Sequence, residues 1–361
     1  MAKPRVLVAY PSVPYTSGGA ERLVEDLVAA LNARAYDAEP LSIPFIVRDP
    51  SSLVTHAAIW REMPLANAAG ESADLLISTK FPSYLLQHPN KVVWLVHQYR
   101  QLYELFGTRY GEFSGSNEQQ SLRRLLMQAD KVALEECRAR FAISENVAAR
   151  LKRFLGLQAE SLLPPLPLEG RYYSKAAEPY FLSVGRLCSI KRVDLAIKAL
   201  PSIPDRFTLK IVGVPDEPGV KDYLDSVIEK HHLQNRAEFL GRVSTDELFE
   251  LYARATAVIY PPFDEDYGYV TLEAFASAKP VITCADSGGT LQFVRDGKNG
   301  FICAPEESEL AAVINRLIED TELYAAVCAG ARDSYVSSTW DQVVEKLTAP
   351  LRGEEKLVGN S

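Results

Sequence analysis

The stretch Ala257–Gly289 reads AVIYPPFDEDYGYVTLEAFASAKPVITCADSGG, and its parse decides the fold. Ala257 to Tyr260 is a short apolar run, the pattern of a buried parallel strand. Pro261 and Pro262 stop it, because neither offers an N–H to a ladder. An acidic loop follows, Asp264-Glu265-Asp266, and Gly268 permits a tight turn. The spacing predicts a helix from about Val270 to Ala278. Pro280 to Cys284 is a second apolar strand, and Ser287-Gly288-Gly289 opens another turn. Strand, loop, helix, strand, loop is a βαβ unit. Open α/β sheets bind ligands at the carboxyl ends of such strands.

Glu265 and Glu273 are separated by seven residues. The first falls in the loop before the helix and the second in its first turn or so. Both therefore reach a ligand lying across the helix N-terminus, where free N–H groups suit a phosphate. Carboxylates accept hydrogen bonds from sugar hydroxyls; the plainer alternative is solvated surface charge. Asp264 and Asp266 form D-x-D, which can hold Mg²⁺ or Mn²⁺ against a diphosphate, though chance produces it often in acidic loops.

At 361 residues the chain predicts two domains. A hydrophobic content of 47% and a charged content of 24% are ordinary for a globular protein. No apolar run approaches a transmembrane span. A strand-like segment, Arg5 to Tyr10, begins almost at once, so no signal peptide is expected. Cysteines 137, 188, 284, 303 and 328 are scattered with no C-x-x-C, which reads as free buried thiols in a reducing cytoplasm and no zinc site. The net charge of −8 argues against nucleic acid. The first 170 residues are charge-balanced, so the whole excess lies beyond them. Arg123 to Arg153 carries eight basic against four acidic residues. That is either a weak peripheral foothold on anionic lipid at the inner face of a membrane or the solvated faces of helices.

Further strands are expected at Arg5–Tyr10, Ala73–Ser78, Val92–Val96 and Phe141–Ile143, with helices at Ala20–Leu31 and Glu118–Ala139. Ser144 reads as the cap of another helix, to about Phe154. Gly18 and Gly19 turn the chain from the first strand into the first helix, an anion site in outline but not G-x-G-x-x-G. His97 follows a strand directly and faces either a cleft or a satisfied strand edge. Tyr99 to Ser116 reads as a long loop and a candidate acceptor lid. Pro164, Pro165 and Pro167 mark a linker. A second α/β set begins at Tyr180, with strands Phe181–Val184, Phe207–Val212 and Ala237–Leu240, and Ser244 opening a helix. The domains expected are 1–168, 169–335, and a C-terminal helix and tail, 336–361, packing back on the first.

Arg186 and Lys191, across a loop after a strand, bring two cations toward one point, where Arg chelates and Lys supplies a point charge. Solvation of both is the alternative. Two cations, a helix N-terminus and two carboxylates at strand ends match a nucleotide diphosphate-sugar. A nucleotide triphosphate fits less well, since G-x-x-x-x-G-K-[ST] is absent.

Glu265-x₇-Glu273 within DEDYGYVTLEAFASAKPVI, Arg186-x₄-Lys191 after FLSVG, the Gly18-Gly19-Ala20-Glu21 loop and the proline linker together resemble glycosyltransferase family 4. The resemblance spans the chain in order, strongly in the second half and more weakly between Leu31 and Leu163. It implies the GT-B fold: α/β, two Rossmann-like doubly wound domains facing across a cleft, the C-terminal helix returning to the first. It implies a retaining hexosyltransferase with a nucleotide diphosphate-sugar donor, GDP-mannose or a UDP-hexose such as UDP-glucose. The acceptor would be a glycan or lipid-linked glycan of a bacterial surface polysaccharide or lipopolysaccharide. Carried over, Glu265 contacts the donor sugar and Glu273 the ribose, Arg186 and Lys191 bind the diphosphate, and His97 contacts the donor sugar. Gly18 and Gly19 bring backbone near the phosphate and acceptor. Gly268, Tyr269, Val270 and Gly288 line the donor pocket. No metal or other cofactor is expected. Tyr269-Val270 in place of Leu-Pro, the added charge of Asp266, and Gln292 where a glutamate is frequent depart from the pattern and put the donor in question. A non-catalytic sugar-nucleotide-binding subunit, or another GT-B enzyme such as an epimerase or phosphorylase, is the alternative.

Overall fold

The structure is a computed structural model, and it describes residues 2–13, 18–66, 70–335 and 338–353. It divides into two compact units. The first runs to Pro165 and resumes at Ser338; the second begins at Leu166.

The first unit holds six parallel strands: β1 (Arg5–Ser12), β2 (Asp37–Pro44), β3 (Leu75–Lys80), β4 (Lys91–His97), β5 (Ala139–Ala142) and β6 (Glu160–Ser161). Their spatial order is β2-β1-β3-β4-β5-β6. Between them run α1 (Gly19–Asn32), α2 (Ser52–Glu62), α3 (Asn117–Glu135) and α4 (Glu145–Leu155). The central strands are apolar on both faces, as a sheet covered by helices requires; Val92 to Leu95 are fully buried. Ser144 caps α4 as its sequence predicts, its Oγ accepting from Val147 N at 3.1 Å. Gly156, at φ 72°, ends that helix in the left-handed region that favours glycine. Lys91 is buried, and its ammonium donates to Tyr84 O at 3.0 Å, Leu86 O at 2.9 Å and Glu136 at 3.0 Å. Those partners offset the cost of burying its charge.

The second unit holds β7 (Tyr180–Val184), β8 (Thr208–Val212), β9 (Ala237–Gly241), β10 (Ala257–Ile259), β11 (Val281–Cys284) and β12 (Gly300–Cys303). They are parallel, in the order β12-β11-β10-β7-β8-β9. Helices α5 (Val193–Ala199), α6 (Val220–Lys230), α7 (Thr245–Arg254), α8 (Tyr269–Ala276), α9 (Glu307–Glu319) and α10 (Thr321–Asp333) cover its faces. One face packs Phe181, Ile197, Leu209, Ile211, Phe301 and Ile314 into an apolar core. The other packs Leu182, Tyr252, Val258, Phe275 and Val281. Chain direction across the sheet reverses between β7 and β10. The loops leaving those two strands flank the switch point, the ligand position of open α/β sheets.

A last helix, α11 (Trp340–Leu347), belongs to the first unit. Trp340 meets Trp94 edge-on with ring centroids 6.3 Å apart. Val343, Val344 and Leu347 are buried beneath it.

Candidate functional site

Both loops at the switch point of the second unit carry residues singled out by the sequence. The chain leaves β7 through Gly185 and makes a short turn, Ser189–Lys191, before α5. Gly213, at the end of β8, lies so close that a Cβ there would stand 1.8 Å from Gly185 O. Only glycine tolerates that approach. Lys191 runs over Gly185 toward the loop after β10, and its ammonium donates to Tyr260 Oη at 3.0 Å and forms a salt bridge with Glu265. Tyr260 Oη donates to Glu265 Oε2 at 2.9 Å. Lysine, tyrosine and glutamate thus close a triangle. Burial, followed by the Glu265 charge, pushes the Tyr260 phenol well up, so it stays a donor.

The sequence offers Arg186 and Lys191 as two cations awaiting a diphosphate. The structure gives each a carboxylate already: Lys191 pairs with Glu265, and Arg186 with Asp216. Lys191 is 14% exposed and Arg186 53%. The second is a reachable side chain in a charge-assisted pair of the kind that water weakens. Glu265 also lies within electrostatic reach of Arg186.

Glu265 sits on a strapped backbone. Its N–H donates to Ser287 O at 3.3 Å, and Gly289 N donates to Glu265 O at 2.7 Å, which pairs Glu265 with Gly288. Asp264 N donates to Asp286 O at 2.8 Å. A Cβ at Gly289 would stand 2.5 Å from Asp266 O, so the two loops touch backbone to backbone.

Gly268 is the N-cap of α8 at φ 89°, and a Cβ there would stand 2.9 Å from Thr290 Oγ1. Tyr269 begins the helix, its ring edge-on to Tyr267 at 4.9 Å. Val270 points inward and packs with Tyr252 and Phe275. Glu273 is the fifth helical residue. It therefore lies one residue further in than its spacing suggests, because the helix starts at Tyr269. Its carboxylate accepts from the buried Tyr252 hydroxyl at 2.6 Å.

In the first unit, Gly18 caps α1 and Gly19 is its first residue. This helix end differs from the open anion site read in the sequence. Glu21 turns back so that Gly18 N donates to its Oε2 at 3.0 Å, and Lys80 Nζ donates to Oε1 at 2.8 Å. Burial alone would raise the Glu21 carboxyl; Lys80 and the Gly18 N–H outweigh it and hold it below the usual range. His97 ends β4, with Lys80 its register partner on β3, and its Nδ1 lies 2.6 Å from Gln98 O. Of the loop Tyr99–Ser116, Leu102, Tyr103, Leu105 and Phe113 are buried, so much of it packs inward.

Arg192 escapes a reading of the sequence, because Lys-Arg before a helix looks like solvated charge. It is 4% exposed at φ 52°. A non-glycine residue in that region costs about 1–2 kcal/mol. Tyr252, Tyr260 and Asp286 are equally silent in the sequence, since none belongs to a charged motif. The signal for Arg192 was the Pro261-Pro262 pair, two acceptors with no donor. Among the described residues no group of three or more His, Cys, Asp or Glu side chains converges as for a metal ion.

Residues 171–333 match the model of the family described as glycosyl transferases group 1. An uncharacterized glycosyltransferase of Methanocaldococcus jannaschii is 29% identical over 171 residues, 47% of this chain and 43% of that protein. The matched stretch thus spans less than half of that relative. Among solved structures, sucrose-phosphate synthase from Thermosynechococcus elongatus superposes with a TM-score of 0.78 at 18% identity, covering 97% of this chain and 99% of the other. Anabaena HepE, solved in complex with UDP and glucose, gives 0.71 at 18% identity, covering 97% and 100%. These likenesses establish the GT-B fold. The segment that matches this family model, residues 171–333, carries Arg186, Lys191, Glu265 and Glu273.

Proposed function

We propose that this protein is a retaining glycosyltransferase that moves a hexose, of mannose or glucose type, from a nucleotide diphosphate-sugar to a hydroxyl of a glycan or lipid-linked glycan. The observation that carries the reading is the Lys191–Tyr260–Glu265 triangle at the switch point of a group 1 glycosyl transferase domain. Transfer breaks the bond between the anomeric carbon and a phosphate oxygen. Negative charge then grows on the nucleoside diphosphate and positive charge on the sugar ring. In this reading Lys191 and Arg186 meet the first, and Glu265 faces the sugar. Removing one donor to developing charge costs about 2.7–4 kcal/mol of barrier.

The diphosphate takes Lys191 from Glu265 as it binds, and Glu265 turns to the sugar hydroxyls. Glu273, oriented by Tyr252, holds the ribose. The leaving phosphate accepts the acceptor's proton in a front-face reaction. The cations carry the charge that a metal carries in other transferases, so turnover survives EDTA. HepE was solved with UDP and glucose, which favours a UDP-hexose donor here; GDP-mannose is the other candidate. Leu125 and Val132 stay exposed on α3 near Arg123, Arg124 and Lys131, which supports peripheral contact of the first unit with anionic lipid.

A thermal-shift panel of UDP, GDP, ADP and their hexoses, with and without EDTA, tests the reading. Ligand at about 100 times its Kd adds about 2.7 kcal/mol. One base stabilising the protein, EDTA without effect, and transfer or donor hydrolysis by the same protein are expected. Binding without turnover would leave a sugar-nucleotide-binding subunit. No shift with any nucleotide would overturn the proposal.

A further inference from the structure

We propose that Arg192 is a positioning residue that holds the Glu265 loop in register with its neighbours. Its Nε donates to Pro261 O at 2.6 Å and its Nη2 to Pro262 O at 2.8 Å. Nη1 and Nη2 donate to the two carboxylate oxygens of Asp286 at 2.9 Å and 2.6 Å. One planar fork therefore joins three segments. They are the turn that carries Lys191, the loop after β10 that carries Glu265, and the loop after β11 that carries the Ser287–Gly289 turn.

The prolines explain why the fork is needed. Each has a carbonyl acceptor and no N–H. The loop after β10 thus leaves the sheet with two acceptors and no donor of its own to extend the ladder. A rigid guanidinium serves several acceptors in one plane; a single ammonium does not. Asp286 holds the fork from the far side. The left-handed backbone of Arg192 persists because these bonds over-determine it. Backbone bonds lace the same segments beside the fork: Phe263 N donates to Ile190 O at 2.7 Å and Asp264 N to Asp286 O at 2.8 Å.

Arg192 bonds backbone and a carboxylate, so it acts on chemistry through Glu265. That consequence rests on the glycosyltransferase reading; the restraint of the loop does not. The test takes R192K and R192Q in the full chain through hydrogen-exchange mass spectrometry and steady-state kinetics. Amides in 263–268 and 286–290 are expected to exchange about tenfold faster or more in both variants, with β8 unchanged. The kcat is expected to fall about 100-fold, the scale of a small misplacement of reacting groups, with donor KM little changed. A kcat near wild type in R192K would show that charge alone suffices and would overturn the role of the fork. Unchanged exchange across 263–268 in R192Q would overturn the proposal whatever the activity. Faster exchange with unchanged kcat would overturn it as well. If wild type turns over no sugar nucleotide, the glycosyltransferase reading fails and the exchange data alone decide the restraint. Should R192Q not fold, D286N removes one side of the fork at a residue 35% exposed, and faster exchange over the same two segments is expected.

Discussion

Lys191 and Glu265 form a salt bridge in which the two side chains are 14% and 15% exposed. A sequence motif assigns them to different parts of one ligand, cation to phosphate and carboxylate to sugar. The structure pairs them with each other. An anion arriving at Lys191 must compete with Glu265, so neutralising Lys191 and neutralising Glu265 are expected to have opposite effects on nucleotide binding. E265Q is expected to bind nucleoside diphosphate as tightly as wild type or more tightly, while turnover falls on the order of 10²–10³. Calorimetry with UDP and GDP beside a transfer assay checks it. Weaker diphosphate binding by E265Q would place Glu265 on the nucleotide.

Glu273 carries a different expectation. Its carboxylate accepts from Tyr252, and losing charge-assisted bonds to a ribose costs about 1.5–3 kcal/mol each. E273A should weaken nucleoside diphosphate binding by roughly one to two orders of magnitude. Y252F, which only loosens the carboxylate, should weaken it less. Nucleotide affinity untouched in E273A would remove Glu273 from the site.

Gly268 stands where a side chain fails twice, at φ 89° and with Thr290 Oγ1 2.9 Å from an added Cβ. G268A is expected to cost about 1–3 kcal/mol of stability and to displace the N-terminus of α8. G213A is expected to be worse, because its Cβ would enter the Gly185 carbonyl at 1.8 Å. Melting curves of the two variants give the ranking; G213A as stable as wild type would contradict the close approach.

Asp130 is expected to make the stability of the first unit depend on pH. It is fully buried, and Tyr84 and Tyr103 donate to its Oδ2 at 2.8 Å and 2.6 Å. Burial pushes its carboxyl up to about 7, against the two phenols, which pull it down. The folded state therefore keeps a proton that the unfolded chain releases near the ordinary carboxylate range. The contribution is fully present below about pH 4 and is lost as pH rises through about 7, on the order of 4 kcal/mol in all. D130N should flatten that slope. Trp60, Trp94 and Trp340 all lie in the first unit, so tryptophan fluorescence reports its unfolding in urea. Equal midpoints for wild type at pH 5 and pH 8 would refute the assignment.

The sequence made the buried strands legible because both their faces are apolar, as at Val92–Val96 and Ala257–Ile259. It concealed β2, where Asp37–Pro44 carries two prolines and buries only Ala38, the mark of an edge strand. Helix α2 has only three inward residues, Leu53, Ala57 and Trp60, and β12 is four residues long. Val54 and Ile59 stay exposed on α2 and blur its helical spacing, and four residues are too few to show a strand's pattern. In the candidate site, residues with a charge and a motif stand out in the sequence. Their hydrogen-bond partners do not: Tyr252 and Tyr260 read as core aromatics, and Arg192 as surface. The pairing of Arg186 and Lys191 with carboxylates was hidden for another reason, since Asp216 and Glu265 reach them only once the sheet has formed.

The chain leaves the first unit at Pro165 and returns to it at Ser338. On the ribosome, the whole second unit is made before the helix that covers Trp94 exists. At 5–20 residues per second the wait is roughly 10–30 s. Through that interval a nascent first unit lacks Trp340, Val343, Val344 and Leu347, and the apolar surface at Trp94 and α1 that they cover stays bare. The later-synthesised unit is thus positioned to finish folding first. Holdase chaperones would be expected to engage the earlier one, and a stop codon near position 337 should yield an aggregating product with a native-like second half.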